Sequence, residues 1–167
     1  MRKERRADNA AATLHFIRDP VTTLARPPLE SGADPTRFIL MHTSQGGNVG
    51  AAARAMKVMG FADLVLVQPR FADVLSREET LAFASGAADI LARARIVPTL
   101  SEALDGITHL CATAMTPRDF GPPTSTPRDH LPPLAAELAR GQRVAFVFGS
   151  ERFGLANEDV YRCHVAL

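Results

Sequence analysis

Two glycine-rich segments contain the residues of this sequence that could bind a nucleotide. The first is Gly46-Gly47-Asn48-Val49-Gly50, and the second spans residues 149–154. A dinucleotide-binding turn needs glycines at its first, third and sixth positions and an acidic residue about 20 positions later. Gln45 occupies the first of these positions, and the next apolar run ends at Gln68-Pro69-Arg70 without an acid. The pattern therefore disfavours a nicotinamide oxidoreductase.

The second segment has the glycine spacing of a phosphate-binding P-loop but not its chemistry. Gly149 and Gly154 are separated by four residues, as that loop requires. Leu155 and Ala156 then stand where a lysine would reach a phosphate and a hydroxyl would bind magnesium. We therefore do not expect an ATPase.

Metal-binding and nucleophilic patterns are weak. Cys111 and Cys163 cannot supply a disulfide framework or a four-ligand zinc site by themselves, and there is no Gly-x-Ser-x-Gly turn. We expect no metal and a reducing, cytoplasmic location. The histidines show no metal-ligand spacing; they are His15, His42, His109, His130 and His164.

Short apolar runs alternate with helical segments, which is typical of a parallel sheet covered on both faces. We predict an α/β fold with a doubly wound parallel sheet, whose ligands bind at the carboxyl ends of the strands. Gly60 is expected to end the first helix, and Ser101 to cap a later one. The predicted strands are 38–41, 64–67, 95–97, 107–112 and 144–148, and the predicted helices are 51–59, 77–83, 87–94, 101–104, 129–140 and one starting at 155 or 157.

Composition indicates one globular domain. The chain has 167 residues, with 46% hydrophobic and 22% charged, and a net charge of +1 from 19 basic and 18 acidic residues. With so small a net charge, binding of a nucleic acid would require a local basic patch. No apolar run approaches the about 20 residues that cross a bilayer, so we expect no membrane segment. Residues 1–36 are rich in proline and mixed charge, and we predict an extended or mobile extension before a domain at 37–167.

The two glycine-rich segments together resemble a known family. GGNVGAAARAMKVMGF, at residues 46–61, is similar to the first motif of the SpoU/TrmH branch of the SPOUT RNA methyltransferases. FGSERFGLANE, at residues 148–158, is similar to the second motif. LVLVQPR, Ala84–Ala87 and Cys111–Ala114 follow the expected order between them. The match is closest to the TrmJ-like tRNA methyltransferases.

This resemblance implies a fold, a reaction and partners. The fold would be a parallel sheet whose C-terminal part forms a trefoil knot. The reaction would be methylation of a ribose 2′-hydroxyl in tRNA, or in rRNA, with S-adenosyl-L-methionine as donor and without a metal. Members of the family act as homodimers.

The resemblance also assigns roles to individual residues. It implies that Arg54 and Asn48 are catalytic. Arg54 would orient the hydroxyl and stabilise the developing alkoxide, because a guanidinium group stays protonated in proteins and is therefore a poor free base. Asn48 would cap the helix or hold a neighbouring loop. The implied cofactor contacts are Thr113, Ala114, Met115 and Gly149, and the implied structural residues of the two motifs are Gly50, Glu151, Gly154, Leu155 and Asn157.

One part of the family pattern is missing. The third motif, an Ile-Pro followed by a Ser-Leu-Asn run, would come after Leu167, where this sequence ends. We therefore expect the knot segment to be absent or incomplete, cofactor binding to be poor and the dimer to be altered. A non-catalytic RNA-binding or dimerisation module of the same fold is the alternative interpretation.

Overall fold

A computed structural model describes residues 34–114 and 119–167, and all of them fall within one compact unit, Gly32–Leu167. Methionine 115, a predicted cofactor contact, and nearly all of the 1–36 extension lie outside the described residues. The strands are β1 Thr36–Met41, β2 Asp63–Val67, β3 Arg95–Val97, β4 His109–Ala112, β5 Val144–Phe148 and β6 Val165–Ala166. The helices are α1 Gly46–Met59, α2 Glu78–Ala84, α3 Ala88–Arg93, α4 Leu100–Ala103, α5 Pro127–Leu138 and α6 Asn157–Tyr161.

The six strands form one sheet in the order β3-β2-β1-β5-β4-β6, and every pairing is parallel. This confirms the predicted α/β class and the parallel sheet, while the knot stays a prediction. The chain leaves β1 toward β2 and leaves the neighbouring β5 toward β6, on the other side. The strand order therefore reverses between β1 and β5, and doubly wound sheets bind ligands outside the carboxyl ends of strands at such a point.

Both faces of the sheet are buried, as the uniformly apolar strands predict. On one face, Ile39, Val65 and Val147 pack with residues of α4 and α6. On the other face, Leu40 and Leu66 pack against α1, α2 and α3. A smaller cluster under α5 completes that second face.

Helix α1 begins five residues earlier than predicted, at Gly46 rather than Ala51. Three glycines raise the conformational cost of a helix by about 1 kcal/mol each, so propensity argues against helix here. Packing reverses this preference, because Gly46 and Gly50 are buried directly against α2. Gly60 ends the helix in the left-handed conformation, at φ 82°, as predicted.

Two further local expectations need correction. The cap of α4 is Thr99, whose hydroxyl accepts a hydrogen bond from the Glu102 backbone N–H at 3.2 Å; Ser101 lies inside the helix. Helix α5 starts at Pro127, two residues before the predicted start, because proline suits the first helical turn. Among the described residues, no helix combines the length and the apolar character needed to cross a membrane.

Candidate functional site

The loops that follow β1 and β5 meet through one carboxylate, Glu151. Its Oε2 accepts a hydrogen bond from the Ser44 hydroxyl at 2.8 Å and from the Ser44 backbone N–H at 3.1 Å. Its Oε1 accepts a hydrogen bond from Asn48 Nδ2 at 2.9 Å. Of the two roles expected for Asn48, the structure therefore shows the second: it holds a neighbouring loop and does not cap its own helix.

The hydrogen bonds determine the charge state of Glu151. Partial burial acts to raise the pKa of this carboxyl group. The hydrogen bonds from Asn48, from its own backbone and from Ser44 outweigh that effect and lower the pKa to about 2. Glu151 is therefore ionised at neutral pH, and its oxygens are occupied by Ser44 and Asn48. Such a group is suited to holding the two loops together rather than to accepting a proton.

We expect Asn48→Ala to raise the pKa of Glu151 from about 2 toward its ordinary value of 4.5. The substitution removes the strongest hydrogen bond to the ionised form and leaves the Ser44 bonds in place. Titration of the Glu151 side-chain carboxyl by carbon-13 NMR measures the change. Gln45→Ala is the control, because Gln45 is exposed on the same turn. An unchanged midpoint in Asn48→Ala would contradict the proposed link.

The loop after β5 is a tight turn that requires its glycines. Ser150 and Gly154 exchange two backbone hydrogen bonds, of 3.1 and 2.9 Å, and Gly154 has φ 66°. A Cβ at position 149 would overlap the Gly154 carbonyl group. Leu155 is buried in the core and anchors the end of the turn. The turn therefore presents Glu151 at its tip, toward the loop after β1.

The predicted cofactor residues lie at the same edge of the sheet. The Thr113 backbone N–H and hydroxyl both donate to the Val147 carbonyl, at 3.0 and 2.9 Å. The Ala114 N–H donates to the Leu167 carbonyl at 3.1 Å. Thr113 and Ala114 directly follow β4, and Gly149 directly follows the adjacent β5; all three are half-buried. Asn157 is the first residue of α6, three positions after the turn.

Arg54 lines a different surface depression from the one beside the Glu151 turn. Because α1 begins at Gly46, this residue is in the third turn rather than the first turn. Its side chain is exposed and lines a shallow apolar depression with Val58, Met59 and Phe83. No hydrogen bond or ion pair within the described part of the chain joins Arg54 to Glu151 or to the ends of β4 and β5. The catalytic role that the resemblance implies for Arg54 therefore stays a prediction.

A second depression, which we call the basic cleft, lies beside the Glu151 turn. Two of its residues have left-handed backbone conformations that are rare outside glycine: His42 has φ 52° and Gln68 has φ 45°. Sequence reasoning missed this cleft, although the exposed pair Arg152-Phe153 inside the second motif was a signal. The basic cleft is lined by His42, Ser44, Gln68, Arg70, Ser150, Arg152 and Phe153.

A buried imidazole pair lies between β4 and α5, which the spacing of the histidines did not predict. His109 Nε2 and His130 Nε2 are 3.1 Å apart, and the ring planes are inclined by only 21°. Cys111 completes a group whose ligand atoms lie within 4.8 Å of one another. The nearly head-on approach of the rings is that of an N–H···N hydrogen bond. Burial, with the nearby charges of His164 and His130, lowers the pKa of His109 to about 4.

This pair should make the protein sensitive to mild acid. The folded protein keeps His109 neutral down to a pKa of about 4, whereas the unfolded chain is protonated below about 6.5. The contribution of His109 to the free energy of unfolding is therefore fully present above pH 6.5. It decreases between pH 6.5 and 4, by up to about 3 kcal/mol. We expect the double variant His109→Leu/His130→Leu to lose this dependence. Urea unfolding at pH 7 and pH 4.5 measures the change in the free energy of unfolding. An equal change in the wild type and the double variant would refute the assignment.

Comparison with known proteins places these features in one family. The family model for the SpoU rRNA Methylase family matches residues 35–167. The chain is 44% identical over 130 residues to the tRNA (cytidine/uridine/adenosine-2′-O-)-methyltransferase TrmJ of Pseudomonas aeruginosa. That match covers 78% of this chain and 49% of the relative, so the chain spans about half the length of that protein.

Solved structures give the same result. A probable methyltransferase from Bordetella pertussis has a TM-score of 0.71 and 43% identity over 80% of each chain. TrmJ from Z. mobilis has a TM-score of 0.66 and 35% identity, covering 78% of this chain and 56% of that one. The family match includes both glycine-rich segments and all six strands of the sheet. The parallel sheet, the Asn48–Glu151 junction and these similarities lead to one conclusion: the chain belongs to the SpoU rRNA Methylase family.

Proposed function

We propose that this chain is the catalytic domain of an RNA 2′-O-methyltransferase that uses S-adenosyl-L-methionine and acts on tRNA, with rRNA as the second substrate class. The observation that carries the proposal is the junction of Ser44, Asn48 and Glu151 at the point where the strand order reverses. Family membership and the activity named for the TrmJ relative support it.

The residues at the ends of β4 and β5 fit the proposed cofactor. When bound, S-adenosyl-L-methionine supplies a methyl group on a positively charged sulfur, so the methyl carbon is already activated. Thr113, Ala114 and Gly149 directly follow adjacent strands, and their small side chains, or none at Gly149, would let the cofactor approach the backbone. The Thr113 hydroxyl is held by the Val147 carbonyl, so it acts in fixing the shape of this edge.

The proposed reaction places a ribose hydroxyl in line with the methyl carbon. Transfer would form a C–O bond as the bond from the methyl carbon to sulfur breaks. The sulfur would leave with that electron pair as a neutral thioether, and the hydroxyl proton would pass to solvent water. In this proposal Arg54 donates hydrogen bonds that orient the hydroxyl and stabilise the developing alkoxide. Glu151 and Asn48 position the two loops, because the carboxylate is ionised and its oxygens are already hydrogen-bonded.

We also propose that the active form is a homodimer in which α1 lies in the interface. The depression around Arg54, of about 350 Å³, is bordered by strongly exposed apolar side chains. Val58 is 78% exposed, Met59 70% and Phe83 55%. A second copy that covers this face would bury these side chains and bring Arg54 to the site of the partner. Among the described residues, no hydrogen bond or ion pair joins Arg54 to the Asn48–Glu151 junction of its own chain.

The remaining expectations complete the proposal. Residues 37–167 would form the methyltransferase domain, and residues 1–36 an extension with a basic tip. We place the protein in the cytoplasm, where its RNA substrates are found. A trefoil knot, as the resemblance implies, would form part of this fold.

The test is methyl transfer to RNA by the full-length protein. Purified protein is incubated with tRNA or rRNA and S-adenosyl-L-methionine that carries a labelled methyl group. A 2′-O-methyl product blocks alkaline cleavage of the RNA at one nucleotide, and this block maps the site. Label on a base, with alkaline cleavage unchanged, would contradict the proposal. Absence of transfer to either RNA class would favour the non-catalytic module.

A further inference from the structure

The basic cleft is lined by two arginines and by no carboxylate. Arg70 and Arg152 are both exposed, and neither forms an ion pair with a carboxylate within residues 34–114 and 119–167. No carboxylate lines the cleft, and the nearest motif carboxylate, Glu151, is directed to Ser44 and Asn48. Exposed guanidinium groups of this kind are suited to bidentate contact with phosphate.

The same cleft presents an aromatic ring to solvent. Phe153 is 82% exposed at the tip of the turn, and the Arg152 guanidinium lies 5.3 Å from the centre of its ring. The Phe153 backbone N–H donates to the Ser150 hydroxyl at 3.2 Å, and this bond holds the Phe153 backbone in the turn. An exposed aromatic ring beside an arginine, in a cleft with a second arginine, is suited to stacking on an unpaired nucleobase.

The floor of the cleft is held in a strained backbone conformation. His42 and Gln68 lie at the ends of the adjacent strands β1 and β2, and both have positive φ. Each is fixed by a backbone hydrogen bond: His42 N–H to Val67 at 2.9 Å, and Gln68 N–H to Val97 at 3.2 Å. Such conformations cost about 1–3 kcal/mol each and persist where the surrounding structure enforces them. Here they turn the chain sharply, so that the Arg70 N–H bonds to the Thr43 carbonyl and Arg70 faces the cleft.

The cleft adjoins the proposed reaction site through Ser44, which lines the cleft and also bonds to Glu151. From these observations we propose that the basic cleft binds an unpaired nucleotide of the substrate RNA next to the methylated ribose, with Phe153 stacking on its base and Arg70 and Arg152 contacting phosphates. The inference rests on the proposed function and specifies how the site recognises single-stranded RNA.

Fluorescence anisotropy with two labelled RNAs tests the proposal, using the full-length protein and a range of salt concentrations. One RNA is a hairpin with an unpaired loop, and the other is a fully paired duplex of the same length. Phe153→Leu should weaken hairpin binding by about 5- to 100-fold at every salt concentration, and Phe153→Trp should restore it. Duplex binding should not change in either variant, because its bases are not available for stacking.

Replacing the arginines should change the salt dependence of RNA binding, which replacing Phe153 should not. Arg70→Gln and Arg152→Gln should each weaken binding and reduce the slope of log affinity against log salt by about 0.7, the value for one phosphate of a single strand. Arg128→Gln, on the exposed start of α5, is the matched control and should leave the slope unchanged. Thermal unfolding of each variant verifies that the fold is retained.

The outcomes separate this proposal from the proposed function. If Phe153→Leu binds the hairpin as tightly as the wild type, or if neither arginine variant changes the slope, the nucleotide subsite is refuted even when the wild type methylates RNA. If the variants show the expected binding signatures but the wild type transfers no methyl group, the subsite stands and the enzymatic proposal fails.

Discussion

Replacing Arg54 with alanine should lower kcat on RNA by about 100- to 1000-fold, the usual cost of losing one donor to a developing oxyanion. The stability of the protein should change by less than about 0.5 kcal/mol, because Arg54 is exposed on α1 and pairs with no carboxylate in the described residues. Steady-state methyl-transfer kinetics and thermal unfolding measure the two effects. Arg54→Lys keeps the charge and should recover only part of the activity. Full activity in Arg54→Ala would remove this residue from the mechanism.

The dimer proposal gives Arg54→Ala a second test. When Arg54→Ala is mixed with a variant whose own site is disrupted, such as Gly149→Ala, half of the dimers contain one chain of each kind. If Arg54 serves the site of the partner, one site in each mixed dimer is intact, and activity should rise to about a quarter of the wild-type value. If Arg54 serves its own chain, both sites of a mixed dimer are defective: one lacks the arginine and the other has the altered loop at position 149. Mixing should then restore no methyl-transfer activity.

Gly50→Ala should destabilise the protein by about 3 kcal/mol or more. The α1 helix packs so closely on α2 that a Cβ at position 50 would overlap the Thr80 carbonyl oxygen and lie 2.9 Å from the Ala84 nitrogen. Both obstacles are backbone atoms, so the two helices must separate to relieve them. Chemical denaturation measures the loss. The helix-favouring effect of alanine offsets only about 1 kcal/mol of it.

Gly47→Ala, one turn earlier on the same helix, is the matched control. A Cβ at position 47 would meet the Glu79 carboxylate at 2.8 Å, which is the far end of a side chain that can move away. We therefore expect a change in unfolding free energy within about 1 kcal/mol. Equal destabilisation in the two variants would show that the close approach of α1 and α2 is not what requires glycine at position 50.

The strands could be predicted well from the sequence because their physical cause is local. Val144–Phe148 and Arg95–Val97 have the predicted boundaries, and β1, β2 and β4 differ by at most two residues at either end. The short strand β6 was not predicted. In β1, β2, β4 and β5 a short apolar run bounded by polar or turn residues indicates a strand that is buried on both faces. The edge strand β3 is largely exposed, and only its apolar pair Ile96-Val97 indicated it. The start of α1 could not be predicted in this way, since the glycines of that turn are helical only through their contact with α2.

The site was predictable in its residues more than in its geometry. The motifs indicated Asn48 and Glu151, but not that they bond to each other across 103 residues. Similarly, the sequence identified Arg37 only as the start of the predicted domain. In the structure it is buried, pairing with Asp63 at 2.8 Å and donating to the Ala103 and Asp105 carbonyls. Such partners come from distant parts of the chain, and no local pattern identifies them.

The pairing of β1 with β5 also affects how the molecule is made. These neighbours in the middle of the sheet are separated by more than a hundred residues, and the Ser44–Glu151 bond spans 107. Loop closure over such a distance is slow, so β1 and β2 emerge from the ribosome long before their missing neighbour does. During that interval the edge of β1 is open to pairing with other chains. Premature termination before Val144 should therefore yield an aggregating product rather than a smaller folded domain.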